Sequence, residues 1–287
     1  MRRCGIVRKC KMENYSVLMS VYAKEKPEQL EIAMQSIFEQ TVKTNDFVLV
    51  CDGILPSELN TVIKKMENLH PELNVIRYEK NQGLGKALDI GLKYCKNNLV
   101  ARMDSDDIAI RTRCEKQLNL FEKMPELSIC SGTIEEFIDS PENIVSLRSV
   151  PEKQKDIKKR MRTRSAFNHP AVMYKKSEVI RCGGYGKLKR KQDHDLFSRM
   201  MNMGCIAYNI QEPILLFRSD INNLKRRKSW INCKSYIIAQ WHILIRGHCS
   251  LLDFIYVVAA QFFFYLAPTS LVDNVTKKYL RDKVARG

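Results

Sequence analysis

Residues 99–107 read LVARMDSDD, an apolar run that stops at a group of aspartates. The run Leu99 to Met103 has the length and composition of a short buried strand that ends at Asp104. Carboxylates that directly follow such a strand stand at its carboxyl end. In open α/β sheets, ligands bind outside the carboxyl ends of the strands. The stretch therefore predicts a strand of a parallel sheet with a ligand site at its end.

The segments before this strand alternate between strand-like and helix-like patterns. Short apolar runs predict strands, and apolar residues at helical spacing predict helices. The predicted strands are 15–22, 46–50, 74–78 and 99–103, and the predicted helices are 28–40, one capped by Ser57, and 84–95. This alternation predicts an α/β (Rossmann-like) fold with a mostly parallel sheet flanked by helices. Asp52, at the end of the second strand, is then expected near Asp104.

The second half of the chain has a less regular pattern. Helices are predicted over 113–124 and 192–203, a strand over 169–175, and a turn at 183–186. The basic stretch 150–164 is compatible with a helix or a mobile loop.

Composition limits the class of protein. The chain has 287 residues, with 45% hydrophobic and 28% charged residues, which argues against a disordered protein. The formal charge of +16 predicts an anionic partner such as a nucleotide, a nucleic acid or lipid head groups. The 10 cysteines form no C-x-x-C pair, which argues against zinc fingers and thioredoxin-type sites. Without a secretory signal they are expected to be reduced, in a cytoplasmic compartment.

The D-x-D pattern of Asp104 and Asp106 is a candidate metal site. Residues i and i+2 of an extended segment point to the same side, so the two carboxylates are expected to share one divalent cation. Carboxylate oxygens suit Mg²⁺ or Mn²⁺. An acidic turn that caps the following segment is the alternative.

The order of several motifs resembles the family 2 glycosyltransferases, whose nucleotide-sugar-binding domain has the GT-A fold. The first set is MSVY (19–22), CDG (51–53), NQGLGKALDIGL (81–92) and ARMDSDD (101–107). The second set is NHPAVMYKK (168–176), GGYG (183–186) and QDHDLFSRM (192–200). The resemblance covers about residues 14–218. It implies an enzyme of the hexosyltransferase type that moves a sugar from a nucleotide-sugar, expected to be a UDP-sugar, with inversion at the anomeric carbon.

The resemblance also implies roles for individual residues. Asp52 matches the aspartate that contacts the nucleotide base, and Ser20 and Tyr22 match positions near the base and ribose. Asp104 matches the acidic residue near ribose and metal, and Asp106 the principal metal ligand, with Mn²⁺ or Mg²⁺ as the ion.

Two further residues of this chain belong to the predicted site. Asp193 matches the catalytic base, with Asp195 as its competitor. Gly83 is assigned to the nucleotide-binding set, and close packing is the alternative for it.

Departures from the family pattern indicate which type of sugar transfer to expect. Gln192 stands where the family commonly has glutamate, and Cys51 where it often has a first aspartate. No Q-x-x-R-W follows Asp193, which is the mark of processive polymerases. Single sugar additions are therefore expected.

The C-terminal region has a membrane-like composition. Nineteen uncharged residues lie between Asp253 and Asp273, close to the roughly 20 needed to span a bilayer. Polar residues within the segment favour an in-plane interfacial anchor over a buried helix, an oligomer contact or a transmembrane helix. Basic clusters at 153–164, 187–191 and 225–228 are expected to bind phosphates or the anionic leaflet, or to be solvated.

These patterns lead to one preferred function. We expect a basic extension over 1–13, a transferase domain over 14–218 and a helical region over 219–287. Within the transferase domain, residues 14–110 are the expected nucleotide-binding half and residues 111–218 the expected acceptor-side half. The enzyme is expected on the inner face of the cell membrane, with a glycan or lipid-linked acceptor of surface polysaccharide or lipopolysaccharide assembly. The alternatives are a sugar-phosphate nucleotidyltransferase and a basic nucleic-acid-binding protein, although no nucleic-acid motif is present.

Overall fold

The first part of the fold is a parallel sheet covered by helices. The computed structural model describes residues 13–219, 228–268, 271, 272 and 275. The strands are β1 (Tyr15–Val21), β2 (Asp46–Asp52), β3 (Leu73–Tyr78) and β4 (Leu99–Asp104), and the helices are α1 (Pro27–Phe38), α2 (Ser57–Leu69) and α3 (Leu84–Tyr94). The strands pair in parallel in the order β3-β2-β1-β4. Ser20 of β1 lies opposite Val50 and Asp104, so three strands end at one edge.

The second part extends the same sheet with mixed strand directions. Its elements are β5 (Ile108–Ala109), α4 (Arg113–Lys123), β6 (Leu127–Phe137), β7 (Ile144–Arg148), α5 (Gln154–Met161), a 3₁₀ turn (His169–Ala171), β8 (Met173–Lys175), α6 (Lys176–Arg181), α7 (Gln192–Asn202) and β9 (Ile206–Arg218). The full order is β3-β2-β1-β4-β8-β6-β9-β5, with β7 on β6. β8 is antiparallel to β4 and β6, whereas β6 and β9 are parallel. The predicted α/β class is confirmed, and the purely parallel part is limited to β1–β4.

Some predicted local elements are wrong. Residues 169–171 form a 3₁₀ turn because Pro170 has a fixed φ and no N–H for a strand ladder, so only Met173–Lys175 is a strand. Ser57 is the first residue of α2 rather than its cap, and Pro56 precedes the helix. The stretch 150–164 contains a helix, α5.

The sheet separates two apolar layers, and alternate residues of β1 enter opposite layers. Val17 and Met19 pack with α1, α2 and α4, whereas Leu18 packs with α3 and α7. On the second side, α3 lies unusually close to the sheet at Gly91. A Cβ at that position would stand 2.4 Å from Leu18 Cδ1 and 2.6 Å from Val50 Cγ2.

Two helices follow the sheet. They are α8 (Trp230–Ile245) and α9 (Leu251–Leu266). Asp253 in the first turn of α9 accepts hydrogen bonds from Ser250 and, at 2.9 Å, from Arg162 Nε. In the part of the chain that the structure describes, no helix is long and apolar enough to cross a membrane. The alternative of a buried helix is not supported, because Val257 is the one residue of α9 that is buried.

The predicted terminal extension and part of the C-terminal region lie outside the described residues. These are positions 1–12, positions 220–227, which include 225–227 of the third basic cluster, and most of the chain after 268.

Because α3 lies so close to the sheet, replacing Gly91 by alanine is predicted to destabilise the protein. A glycine-to-alanine change inside an exposed helix stabilises it by about 1 kcal/mol. At Gly91 the added methyl group overlaps Leu18 and Val50, and overpacking costs about 1–3 kcal/mol. We expect Gly91→Ala to lower the free energy of unfolding, measured by urea denaturation. The matched control Lys93→Ala, on the exposed side of the same helix, should be nearly neutral. A stabilised Gly91→Ala protein would contradict this packing.

Candidate active site

A cavity of about 600 Å³ opens where β1, β2 and β4 end, and all of the predicted site residues line it. They are Ser20, Tyr22, Asp52, Gly83, Asp104, Asp106 and Asp193. We call this space the first cavity. The structure thus brings the predicted residues together, while their individual roles stay predictions.

An acidic cluster forms one wall of the first cavity. The carboxylate oxygens of Asp104, Asp106 and Asp107 lie within 4.8 Å of one another. The sequence argument treated 104–106 as an extended segment, and that geometry is wrong, because β4 ends at Asp104 and residues 105 and 106 form a turn. The turn brings in Asp107, which was missed although it directly follows Asp106 in the sequence.

The electrostatics of the cluster fit a divalent cation. Asp107 is fully buried, its Oδ1 accepts the Arg218 N–H at 2.9 Å, and its Oδ2 has no hydrogen-bond partner. Burial and the charges of Asp106 and Asp104 raise the pKa of Asp107 well above its ordinary value. Three carboxylates this close repel one another until positive charge is added. Hard oxygen donors are the ligands that Mg²⁺ and Mn²⁺ prefer.

A buried arginine forms an ion pair with the acidic cluster on its protein side. Arg102 is 1% exposed, and its guanidinium binds the Asp104 carboxylate. Arg113, also buried, donates to the Arg102 carbonyl at 2.6 Å and so fixes the backbone of β4. The Asp104 side chain is therefore held in place before any ligand binds.

Asp52 holds the loop that begins α3. Its two oxygens accept the N–H groups of Gln82 at 2.7 Å and Gly83 at 3.0 Å. Gly83 has φ +87°, and a Cβ there would meet nothing within 4 Å, so backbone conformation rather than close packing requires glycine. Close packing occurs instead at Gly85, where a Cβ would lie 3.2 Å from Gln192 Cγ. This contact joins the starts of α3 and α7.

Asp193 lies in the first turn of α7 and lines the same cavity. Burial would raise the pKa of Asp193, but His169, Lys191 and His194 outweigh it, and the pKa lies below its ordinary value. Burial lowers the pKa of His169 to about 3. At neutral pH, Asp193 is therefore ionised beside a neutral imidazole, as a general base requires.

The competing aspartate has different surroundings. Asp195 accepts hydrogen bonds from Arg199 Nε at 3.1 Å and Arg246 Nη1 at 2.9 Å, and it does not line the first cavity. The pair with Arg199 lies within α7, and the pair with Arg246 connects α7 to the end of α8. The geometry favours Asp193 as the base.

Several cations that line the first cavity were not assigned to it from the sequence. They are Arg148, Lys189, Arg190, Lys191 and Arg218. Arg148 and Arg218 end β7 and β9, strands that the sequence pattern did not reveal, so no signal was available for them. Residues 189–191 belong to a predicted basic cluster, and their cations line the same cavity as Asp104 and Asp106 and suit a phosphate group.

The buried histidines predict a pH-dependent stability. Burial lowers the pKa of His194 to about 4, whereas an unfolded histidine titrates at about 6.5. Between these values the unfolded chain binds more protons, so the free energy of unfolding falls as the pH falls. Between about pH 7 and 5, we expect the free energy of unfolding of His194→Gln to fall by about 1–2 kcal/mol less than that of the wild type, measured by urea unfolding. Identical pH dependence in variant and wild type would show that His194 is not buried neutral.

Comparison with known proteins identifies relatives over nearly the whole chain. The family model described as Glycosyl transferase family 2 matches residues 16–184. A UDP-Gal:alpha-D-GlcNAc-diphosphoundecaprenol beta-1,3-galactosyltransferase of Escherichia coli is 37% identical over 267 residues, covering 93% of this chain and 96% of the relative. The amylovoran biosynthesis glycosyltransferase AmsE of Erwinia amylovora is 36% identical over 223 residues, covering 78% and 83%.

Solved structures share the fold at low sequence identity. S. aureus TarS 1–349 in complex with UDP-GlcNAc superposes with a TM-score of 0.63 at 14% identity, covering 93% of this chain and 76% of that one. The mannosyltransferase PcManGT from Pyrobaculum calidifontis, in complex with GDP-Man and Mn²⁺, gives 0.61 at 15% identity, with the same coverage. This chain spans 44% of the longer TarS chain. The predicted GT-A architecture is confirmed, and the chain belongs to glycosyltransferase family 2.

Proposed function

We propose that this glycosyltransferase is metal-dependent and inverting, and that it transfers one sugar from a UDP-sugar to a hydroxyl of a lipid-linked or glycan acceptor. The observation that carries the proposal is the first cavity, where the acidic cluster and the ionised Asp193 face the same space. Relatives named for the biosynthesis of bacterial surface polysaccharides support a role in surface-polysaccharide or lipopolysaccharide assembly.

The acidic cluster is the proposed site for Mn²⁺ or Mg²⁺. Asp106 and Asp104 are the proposed ligands, with Asp107 behind them. A divalent cation there supplies positive charge that stabilises the departing diphosphate. Lys189 and Arg190 line the same cavity and add to that charge.

The nucleotide is proposed to bind along the ends of β1 and β2, near Ser20, Tyr22, Asp52 and Gly83. Since both oxygens of Asp52 already accept N–H groups of the 82–83 loop, we propose that Asp52 shapes the base pocket as well as contacting the base. The E. coli relative and the TarS complex are both named with uridine nucleotides, which makes UDP the first nucleotide to test.

The proposed chemistry is a single displacement. Asp193 accepts the proton of the acceptor hydroxyl while that oxygen bonds to the anomeric carbon. The bond between the anomeric carbon and the diphosphate oxygen breaks, and its electron pair leaves with UDP. One base on the side opposite the leaving group suffices, and the anomeric configuration inverts.

Peripheral membrane attachment is proposed for the C-terminal helices. Large apolar side chains are exposed along both, namely Trp230, Ile231, Trp241, Ile245, Leu251, Leu252, Ile255, Phe262, Phe263 and Leu266. An exposed apolar stripe beside basic residues is typical of helices that lie in the membrane interface. We therefore propose a transferase domain over 14–218, with halves that meet at 110 and 111, and a membrane-facing region over 219–287.

The base and the metal site are tested by separate variants. We expect Asp193→Asn to lower kcat by about 10²–10⁴, because the proton acceptor is lost, while the Kd of UDP with Mn²⁺ is unchanged. We expect Asp106→Asn to weaken Mn²⁺-dependent UDP binding, measured by calorimetry. Asp156→Asn, on the exposed side of α5, is the matched control and should behave as wild type.

Three results would contradict the proposed base, metal role or reaction. Near-normal turnover of Asp193→Asn would exclude Asp193 as the base. UDP binding that is independent of Mn²⁺ and Mg²⁺ in the wild type would exclude the metal role. Release of pyrophosphate from a nucleoside triphosphate would favour the nucleotidyltransferase alternative.

Membrane attachment is tested by vesicle co-sedimentation. Leu252 is 78% exposed near the start of α9, so Leu252→Glu removes an apolar contact without disturbing a core. We expect wild type to bind vesicles that contain anionic lipid, less strongly at high salt, and Leu252→Glu to bind several-fold more weakly. Equal binding of both proteins would contradict insertion of this surface.

A further inference from the structure

A second cavity of about 400 Å³ adjoins the first one on the far side of Asp193. It lies between the loop after α5, the start of α7, and the helices α8 and α9. The two cavities share the lining residues Arg148, His169, Lys191, Asp193 and Asn232. The proposed base is therefore the point where a ligand in one cavity meets a ligand in the other.

One wall of the second cavity is strongly cationic. Arg148, Arg160, Arg164, Lys191 and Lys228 line it, and among the described lining residues Asp193 is the one carboxylate, while Glu136 behind the lining pairs with Arg148. So many cations around a small space favour a multiply charged anion. A neutral glycan does not need them.

The wall formed by α8 and α9 is aromatic and apolar, and Lys191 Nζ lies 4.7 Å from the centre of the Tyr236 ring. Tyr236 of α8 and Tyr256, Val257, Ala260 and Phe264 of α9 form this wall. Tyr256 is 66% exposed, so this wall continues onto the exposed apolar stripe of α9. A ligand that matches both walls carries a multiply charged anion next to a hydrocarbon chain.

The cationic wall is fixed to the helices rather than free at the surface. Gln240 of α8 donates to the Arg162 carbonyl at 2.6 Å, and Tyr236 donates to the Thr163 carbonyl at 3.2 Å. Arg162 also binds Asp253 of α9. The backbone that carries Arg160 and Arg164 is thereby held against α8 and α9, which preorganises the cavity.

We propose that the second cavity binds the diphosphate of a lipid-linked acceptor. Arg160 and Arg164 bind the phosphates, the hydrocarbon chain leaves along Tyr256 and the α9 stripe, and the acceptor sugar extends to Asp193. This inference rests on the proposed transfer reaction for the direction of the sugar, but the binding of a lipid diphosphate is a separate property of the cavity.

Binding of farnesyl diphosphate tests the inference without any transfer. The full-length protein is titrated by calorimetry in metal-free buffer, so that the acidic cluster does not contribute. We expect Arg160→Gln and Arg164→Gln each to weaken binding by about tenfold or more, because a charge-assisted hydrogen bond is lost. Lys159→Gln removes the same charge from the exposed side of α5 and should leave the Kd unchanged.

Two further ligands separate the contributions of the walls. Farnesyl monophosphate should bind more weakly than the diphosphate if the phosphates are recognised. Inorganic pyrophosphate should bind at least about tenfold more weakly if the apolar wall takes the chain. Equal affinity of either ligand, or equal Kd values in the arginine variants and Lys159→Gln, would overturn the inference.

The donor site serves as an independent control. UDP with Mn²⁺ should bind the arginine variants as tightly as wild type, which also shows that they are folded. Displacement of farnesyl diphosphate by UDP would place the diphosphate in the first cavity and overturn the inference. If UDP did not bind at all, the proposed donor site would be excluded, but the conclusion drawn from farnesyl diphosphate binding would not change.

Discussion

Like charges crowded at the end of β4 are the constraint on which the site depends. The oxygens of Asp104, Asp106 and Asp107 lie within 4.8 Å of one another, and positive charge around such a group offsets the repulsion between its carboxylates. The fold supplies that charge from below through Arg102, which Arg113 holds in place. On the open side, a bound divalent cation and the cations of 189–191, which line the same cavity, would add to that charge. The parallel strands place this cluster beside Ser20, and the Asp52 loop closes the cavity.

The position of α7 determines where the proposed base, Asp193, lies in the site. Gly85 lets the start of α3 contact Gln192 at the start of α7, and the next residue, Asp193, lines the same cavity as Asp104 and Asp106. On its other side, α7 is tied to α8 through Asp195 and Arg246. The same short helix thus connects the parallel sheet to the C-terminal helices, whose exposed side chains are largely apolar. A membrane-bound acceptor and a water-soluble donor would therefore meet at Asp193 from two directions.

The sequence predicted the parts of this arrangement that depend on local pattern. The βαβ alternation located β1–β4 and α1–α3, because strands buried on both faces are apolar throughout. It did not reveal β6 and β9. β6 buries Ser131, Thr133 and Glu136, so its apolar alternation is lost, and β9 contains Pro213, where its register with β6 shifts. Arg218 was missed because β9 was not predicted, and Arg148 was missed because β7, which pairs with β6, was not predicted either. Asp107 was missed because the turn after Asp104 cannot be distinguished from an extended segment by spacing alone. The second cavity is formed by contacts between distant segments, which no local pattern records.

The central claim is that donor and acceptor meet across Asp193. The most direct test is a crystal structure of the protein with a non-reactive UDP-sugar analogue, Mn²⁺ and a glycosyl diphosphate lipid of short chain. The distance from the acceptor hydroxyl to the Asp193 carboxylate is the measurement that decides. We predict a hydrogen bond of about 2.6–3.2 Å, with the hydroxyl facing the anomeric carbon on the side away from the diphosphate. An acceptor hydroxyl that approaches the anomeric carbon with Asp193 out of reach would contradict it.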